Sequence, residues 1–210
     1  MVAAKQPKAA GCGADLARAD KIDNADFKSP WDFHYRIAAF HVACGDVICY
    51  PTEAVFGLGC NPDNPDAVRA VLKLKQRCWQ QGLILIGADC EQLRHFCALN
   101  DADWHRICAL WPAAKTIVVP AATENRLLTG RFNTIALRVP DHPQTRALCR
   151  QTGPLVSTSA NPHGRPPARC LLTARHYFAR QPLHFVPGKT AGHLRPSTII
   201  HWRDGKILRR

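Results

Sequence analysis

No apolar run in this chain approaches the about 20 residues that a bilayer span needs. Its first 30 residues lack the apolar core of a secretory signal. The chain has no C-x-x-C pair and no histidines at helical i, i+4 spacing, so neither a zinc knuckle nor a helical metal site is expected. There is no GxxxxGK[ST] loop and no GxGxxG turn, so a nucleotide would need another scaffold. There is no GxSxG elbow, which disfavours a serine hydrolase. No two acids stand out as an acid/base couple. Internal repeats are absent.

Acidic residues are also scarce. Lys and Arg number 28 against 16 Asp and Glu, a net charge of +12. That excess favours an anionic partner such as a nucleotide or RNA. The basic residues are spread along the chain, so a patch must be built by the fold. A chain of 210 residues, 46% hydrophobic and 21% charged, suits one soluble globular domain. Residues 1–30 are expected to be a poorly ordered extension and 31–210 the folded domain. The ten cysteines mostly fall in apolar runs, as at Cys44, Cys49, Cys97, Cys108 and Cys149. They read as reduced core residues of a cytoplasmic protein.

The chain is organised around Val47–Arg77. Val47–Tyr50 reads as a buried strand that Pro51 ends. Thr52, Glu53, Gly57 and Gly59 fall in the loop expected next. Asn64-Pro65-Asp66 starts a helix with Val68, Val71 and Leu72 on its apolar face. Lys73, Lys75 and Arg77 close it, and cations there suit the helix dipole. Lys75 and Arg77 are two apart and cannot share a helical face. If the helix frays, both can converge on one anion.

Elsewhere the spacing of Phe33, Ile37, Phe40 and Cys44 predicts a helix with that face buried, stopped by Gly45. Gly82–Gly87, Thr116–Val119, Thr134–Val139, Leu155–Thr158, Phe185–Val186 and Thr198–Trp202 read as strands. Helices are expected from Asp89 to Leu99 with Gln92 completing a capping box, from Asp101 or Asp103 to Trp111, from Asp141 to Thr152, and from Thr173 to Arg180. Asn125–Asn133 reads as a basic loop. Asp204-Gly205 predicts a tight hairpin into Lys206–Arg209. Alternation of strands and helices makes the class α/β, and the hairpin argues for a mixed sheet.

Three polar clusters follow strands, where open α/β sheets bind ligands. They are Thr52-Glu53, Lys75-x-Arg77, and Ser157-Thr158-Ser159-Ala160-Asn161. Hydroxyls and an amide at a strand end suit phosphate or carboxylate oxygens. They also suit a simple strand-to-loop cap.

YPTEAVFGLGCNPDN, LKLKQR, GLILIGADCEQL, TIALRVPDHP, LVSTSANPHGRPP and PSTI, in this order and spacing, resemble the YrdC family in its short bacterial form. The resemblance covers roughly residues 31–210. It implies a twisted, open, mixed sheet with flanking helices and a basic concave cleft. It also implies synthesis of threonylcarbamoyl-AMP and pyrophosphate from L-threonine, bicarbonate and ATP, with Mg2+ accompanying the ATP. The product would pass to a downstream threonylcarbamoyl transferase that modifies tRNA. Lys75 and Arg77 resemble the family's catalytic pair at phosphate and carbamate. Thr52, Arg138, Ser157, Ser159 and Asn161 match its threonine and nucleotide contacts. Thr134 and Ser197 match more weakly. The chain departs from the family at Cys78, where proline is usual, at Ala113-Ala114-Lys115, and at His163. Two other readings stay open on these residues: a module that binds tRNA or other RNA without chemistry, and a relative acting on another carbamoyl or nucleotide substrate.

Overall fold

Val47–Pro51 (β1) is buried along its whole length. Successive strand side chains point to opposite faces. Ile48 and Tyr50 enter one core cluster, Val47 and Cys49 the other. The strand is therefore covered on both sides. The computed structural model describes residues 31–209. The extension expected at 1–30 lies outside the described residues.

On one face of β1 lies α1 (Asp32–Ala43), together with Leu148 and Cys149. The spacing of Phe33, Ile37, Phe40 and Cys44 misidentified the buried side of α1. Tyr35, Ala38 and Val42 are buried instead, while Phe33 and Phe40 are exposed. Ala38 has no side chain beyond its β-carbon and is fully covered, so the helix meets its neighbours through small as well as large residues.

Phe56–Gly59 (β2) pairs antiparallel with β1, although its two glycines read as loop. The ring of Tyr50 explains them. A β-carbon on Gly59 would lie 2.6 Å from the Val156 carbonyl oxygen and 2.8 Å from Tyr50 Cε1. Glycine there permits the close approach that a buried tyrosine demands.

Pro65–Lys75 (α2) begins as expected. The Asn64 side chain accepts hydrogen bonds from the Asp66 and Ala67 amides at 3.0 and 3.1 Å, and proline occupies the first turn. It ends at Gln76, whose φ of 49° and ψ of 41° are left-handed.

The remaining strands are β3 (Ile84–Ile86), β4 (Lys115–Pro120), β5 (Thr134–Arg138), β6 (Leu155–Ser159), β7 (Leu183–Phe185), β8 (Thr198–His201) and β9 (Ile207–Arg209). The strands of the described residues form one mixed, open sheet in the order β7-β1-β2-β6-β3-β5-β4-β8-β9. β1/β7, β3/β5 and β4/β8 are parallel and the other pairs antiparallel. The remaining helices are α3 (Asp101–Cys108), α4 (Arg126–Thr129), α5 (Pro143–Thr152) and α6 (Leu171–Tyr177).

Local capping shifts several of the expected boundaries. Asn100, not an aspartate, caps α3 by accepting from the Asp103 amide at 2.8 Å. His142, not Asp141, caps α5 through its ring and the Thr145 amide. The Asp89 segment is a 3-10 helix, Glu91–Phe96. Its cap is reciprocal as expected, with the Gln92 amide on Asp89 and the Gln92 side chain on the Ala88 amide. The basic loop at 125–133 contains α4. The final hairpin closes through a longer turn, with the Gly205 amide bonded to the His201 carbonyl.

No two of the nine cysteines of the described residues are joined in a disulfide. Cys49, Cys60, Cys97 and Cys149 are buried, but Cys44, expected inside, is exposed with Cys78 and Cys170. No helix among the described residues is long and apolar enough to cross a membrane.

Candidate functional site

The ends of β1, β2, β3, β5, β6 and β8 open onto one cavity of about 260 Å3. Of the residues singled out in the sequence, Thr52, Arg77, Arg138, Ser157, Ser159 and Ser197 line it. Lys75 and Asn161 stand directly behind Ser159. Lys75 Nζ donates to the Asn161 carbonyl and side-chain oxygens, both at 2.7 Å, and reaches Ser159 Oγ at 3.4 Å. Ser159 Oγ in turn donates to Asn161 Oδ1 at 2.7 Å. Thr134 does not join this cavity. It lines a neighbouring one of about 250 Å3, which shares Arg77, Ile84 and Arg209 with the first.

The backbone explains how residues two apart serve one site. The left-handed turn at Gln76 reverses the chain after Lys75. Lys75 then points toward Asn161, while Arg77 enters the cavity and donates to the Gly82 carbonyl at 2.9 Å. Burial, with the neighbouring Arg77 charge second, lowers the Lys75 pKa to about 8. Burial also lowers that of Arg77. Both groups are held as cations at some cost, which an incoming anion would offset.

Thr52 donates its hydroxyl to the Val55 carbonyl at 2.7 Å, leaving lone pairs free to accept. Tyr50, fully buried beneath it, donates to Ser157 Oγ at 2.8 Å and so fixes that hydroxyl. The loop after β6 is tied to β2 through the Phe56 amide on Ala168 and the Ala160 amide on Phe56, both at 2.7 Å. The Asn161 amide donates to the Pro162 and Arg165 carbonyls. Hydroxyls and amide are therefore set in place before any ligand arrives.

Two functional candidates, Arg195 and Arg209, escaped the sequence reading, and the role of a third, Glu53, was not seen. Glu53 was noted beside Thr52 but given no partner. It is 1% exposed, ion-paired with Arg138, and accepts the Asp141 amide at 2.9 Å. Arg195 and Arg209 also line the cavity. Arg209 donates to the Ser197 carbonyl at 3.0 Å, and Ser197 Oγ lies 2.8 Å from Thr116 Oγ1. Burial, then the charges of Arg138 and Arg77, lower the Arg209 pKa. No local signal marks Arg195 or Arg209, because only the β4–β8–β9 pairing brings them here.

The lining thus carries four arginines and one carboxylate, itself neutralised by Arg138. That arrangement suits a polyanion, with fixed hydroxyls around it. The sequence model of the Sua5/YciO/YrdC family, described as telomere recombination, matches residues 42–210. The chain belongs to the Sua5/YciO/YrdC family. Over 169 residues it is 51% identical to the threonylcarbamoyl-AMP synthase of Serratia proteamaculans, covering 78% of this chain and 88% of that one. It is 43% identical to the Marinobacter nauticus threonylcarbamoyl-AMP synthase over 189 residues, 88% of this chain and all of that one. P. abyssi Sua5 complexed with L-threonine superposes with a TM-score of 0.73 at 29% identity, over 81% of this chain. This chain spans about half the length of that Sua5, 51% of it. E. coli YciO shares the fold, with a TM-score of 0.75 at 23% identity, over 87% of this chain and 91% of that one. The open mixed sheet expected from the YrdC resemblance is the sheet observed.

Proposed function

We propose that this member of the Sua5/YciO/YrdC family is a threonylcarbamoyl-AMP synthase. It condenses L-threonine with bicarbonate and transfers AMP from ATP to the resulting carbamate. The observation that carries the reading is the convergence of Thr52, Arg77, Arg138, Ser157, Ser159 and Ser197 on one basic cavity in a chain this close to enzymes of that name.

The roles follow from charge and reach. Arg138, steadied by Glu53, offers a planar pair of donors to the threonine carboxylate. Thr52 accepts from the amino acid. Arg77 and Lys75 draw the carbamate and the α-phosphate together, where two anions would otherwise repel. Ser157, Ser159, Asn161 and Ser197 supply hydrogen bonds to nucleotide and threonine. Thr134, in the adjoining cavity, reaches only a part of the nucleotide that extends past Arg77 and Arg209. The carbamate oxygen attacks the α-phosphorus and pyrophosphate leaves, so positioning and charge neutralisation do most of the work.

Among the described residues no group of three or more His, Cys, Asp or Glu is placed to hold a metal ion. The one carboxylate of the lining is committed to Arg138. These residues do not form a Mg2+ site, and Mg2+ enters as part of the nucleotide substrate, held by phosphates and water. A downstream transferase would take the product to tRNA in the cytoplasm, and the basic face is suited to touch tRNA directly.

The test is pyrophosphate release with MgATP and bicarbonate, with and without L-threonine. Release that requires threonine, and that Lys75→Ala and Arg77→Ala abolish, is expected. Nucleotide binding without threonine-dependent release would assign another acceptor. RNA binding without nucleotide binding would overturn the enzymatic reading.

A further inference from the structure

Residues 187–196 form no helix or strand, yet their path is fixed. The Ala191 amide bonds to the Thr52 carbonyl at 3.4 Å and the His193 amide to the Glu53 carbonyl at 3.1 Å. His142 Nε2 donates to the Lys189 carbonyl at 3.1 Å. The Arg169 guanidinium donates to the Leu194 carbonyl at 3.0 Å. The segment is therefore strapped across the Thr52–Glu53 loop. Its last residues, Arg195, Pro196 and Ser197, come down onto the cavity.

The four arginines of the lining are not equivalent. Arg138 is committed to Glu53, Arg77 to the Gly82 carbonyl and Arg209 to Ser197. Arg195 is exposed and makes no hydrogen bond or ion pair with the described residues. Its neighbours on both sides are anchored, through Leu194 and Ser197, so the guanidinium is kept at the mouth while its side chain stays free to swing. A free cation at the mouth suits the part of a polyanion that enters last and must depart. A single carboxylate deep in the cavity is already served by Arg138.

We propose that Arg195 is a substrate-binding residue that takes the terminal phosphates of the nucleotide, the part released as pyrophosphate. This deepens the synthase reading and rests on it.

The test is steady-state kinetics of pyrophosphate release by the full chain, varying MgATP and L-threonine separately. Arg195→Ala is expected to raise KM for ATP by about tenfold, the loss of one charge-assisted contact, and to weaken inhibition by added pyrophosphate by a similar factor. KM for threonine should stay within about twofold, and Arg195→Lys should restore part of the ATP effect. Lys189→Ala removes an exposed charge from the same segment but outside the lining, and should leave both constants unchanged. An unaltered KM for ATP in Arg195→Ala, a rise in KM for threonine instead, or an equal effect from Lys189→Ala would overturn the assignment while leaving the synthase reading intact. A wild type that releases no pyrophosphate with any amino acid would overturn the synthase reading itself, and this assignment with it.

Discussion

Lys75 Nζ donates to both the main-chain and the side-chain oxygen of Asn161, each at 2.7 Å, across the junction of α2 and the loop after β6. The contact holds a cation whose pKa burial and Arg77 lower to about 8 from an ordinary 10.5. The native chain therefore releases this proton before the unfolded chain does. Between about pH 8 and 10.5 the unfolded state binds more protons, so the contribution of this group to stability rises with pH in that window. Below pH 8 its penalty is present in full. Nucleotide affinity should run the other way, weakening as pH rises through about 8 and the ammonium is lost. Calorimetric titration of ATP between pH 7 and 9 checks this. In Lys75→Met the affinity should be low and flat with pH, while the melting temperature holds or rises.

Glu53 and Arg138 form the buried ion pair of the cavity, 1% and 12% exposed at their side chains. Glu53→Ala leaves a guanidinium with little water and no counter-charge. The expected cost is about 3–5 kcal/mol of folding stability. Glu53→Ala combined with Arg138→Ala should cost less than the sum of the two single changes. Urea unfolding of the four proteins in the cycle measures the coupling, and strict additivity would show that the pair does not act as a unit.

Gly59→Ala should destabilise by about 1–3 kcal/mol, since the new methyl meets the Val156 carbonyl and the Tyr50 ring. The displaced Tyr50 no longer positions Ser157, so substrate affinity should fall along with stability. A variant as stable as the parent would show that β2 can move away from β6.

Thiol reactivity should divide the described cysteines by environment. Cys170 is exposed, and hydrogen bonds from the Thr173 side chain and amide lower its pKa. Burial raises those of Cys49 and Cys60 to about 12. Brief alkylation of the native chain, read by mass spectrometry, should modify Cys170 first and leave Cys49 and Cys60 untouched until denaturant is added.

Local chemistry was legible where it acts within a few residues. Asn64-Pro65-Asp66 announces the start of α2, and Val47–Tyr50 announces a buried strand. Patterns failed where a distant partner decided the outcome. Gly57 and Gly59 look like a loop until the Tyr50 ring occupies the space their side chains would need. Phe33 and Phe40 look like a core face until Ala38 shows which side of α1 is covered. In the site, Thr52, Arg77, Arg138, Ser157, Ser159 and Ser197 were named from the sequence and meet at one cavity. Glu53 and Arg138 were each visible, but their pairing across 85 positions of chain was not. Thr134, one of the weaker matches in the family resemblance, lines the adjoining cavity instead.

The sheet order has a consequence for the growing chain. β1, α2 and β3, with Thr52, Lys75 and Arg77 in or just after the first two, leave the ribosome before β8 and β9. The wall opposite them waits for β8 and β9, because Ser197 and Arg209 follow all of these in the chain. Nucleotide cannot guide the early stages of folding, since its receptor does not yet exist. The ligand can only lock a sheet that has already closed, and a nascent chain halted before β9 has a basic half-cleft with nothing to hold its charges apart from solvent.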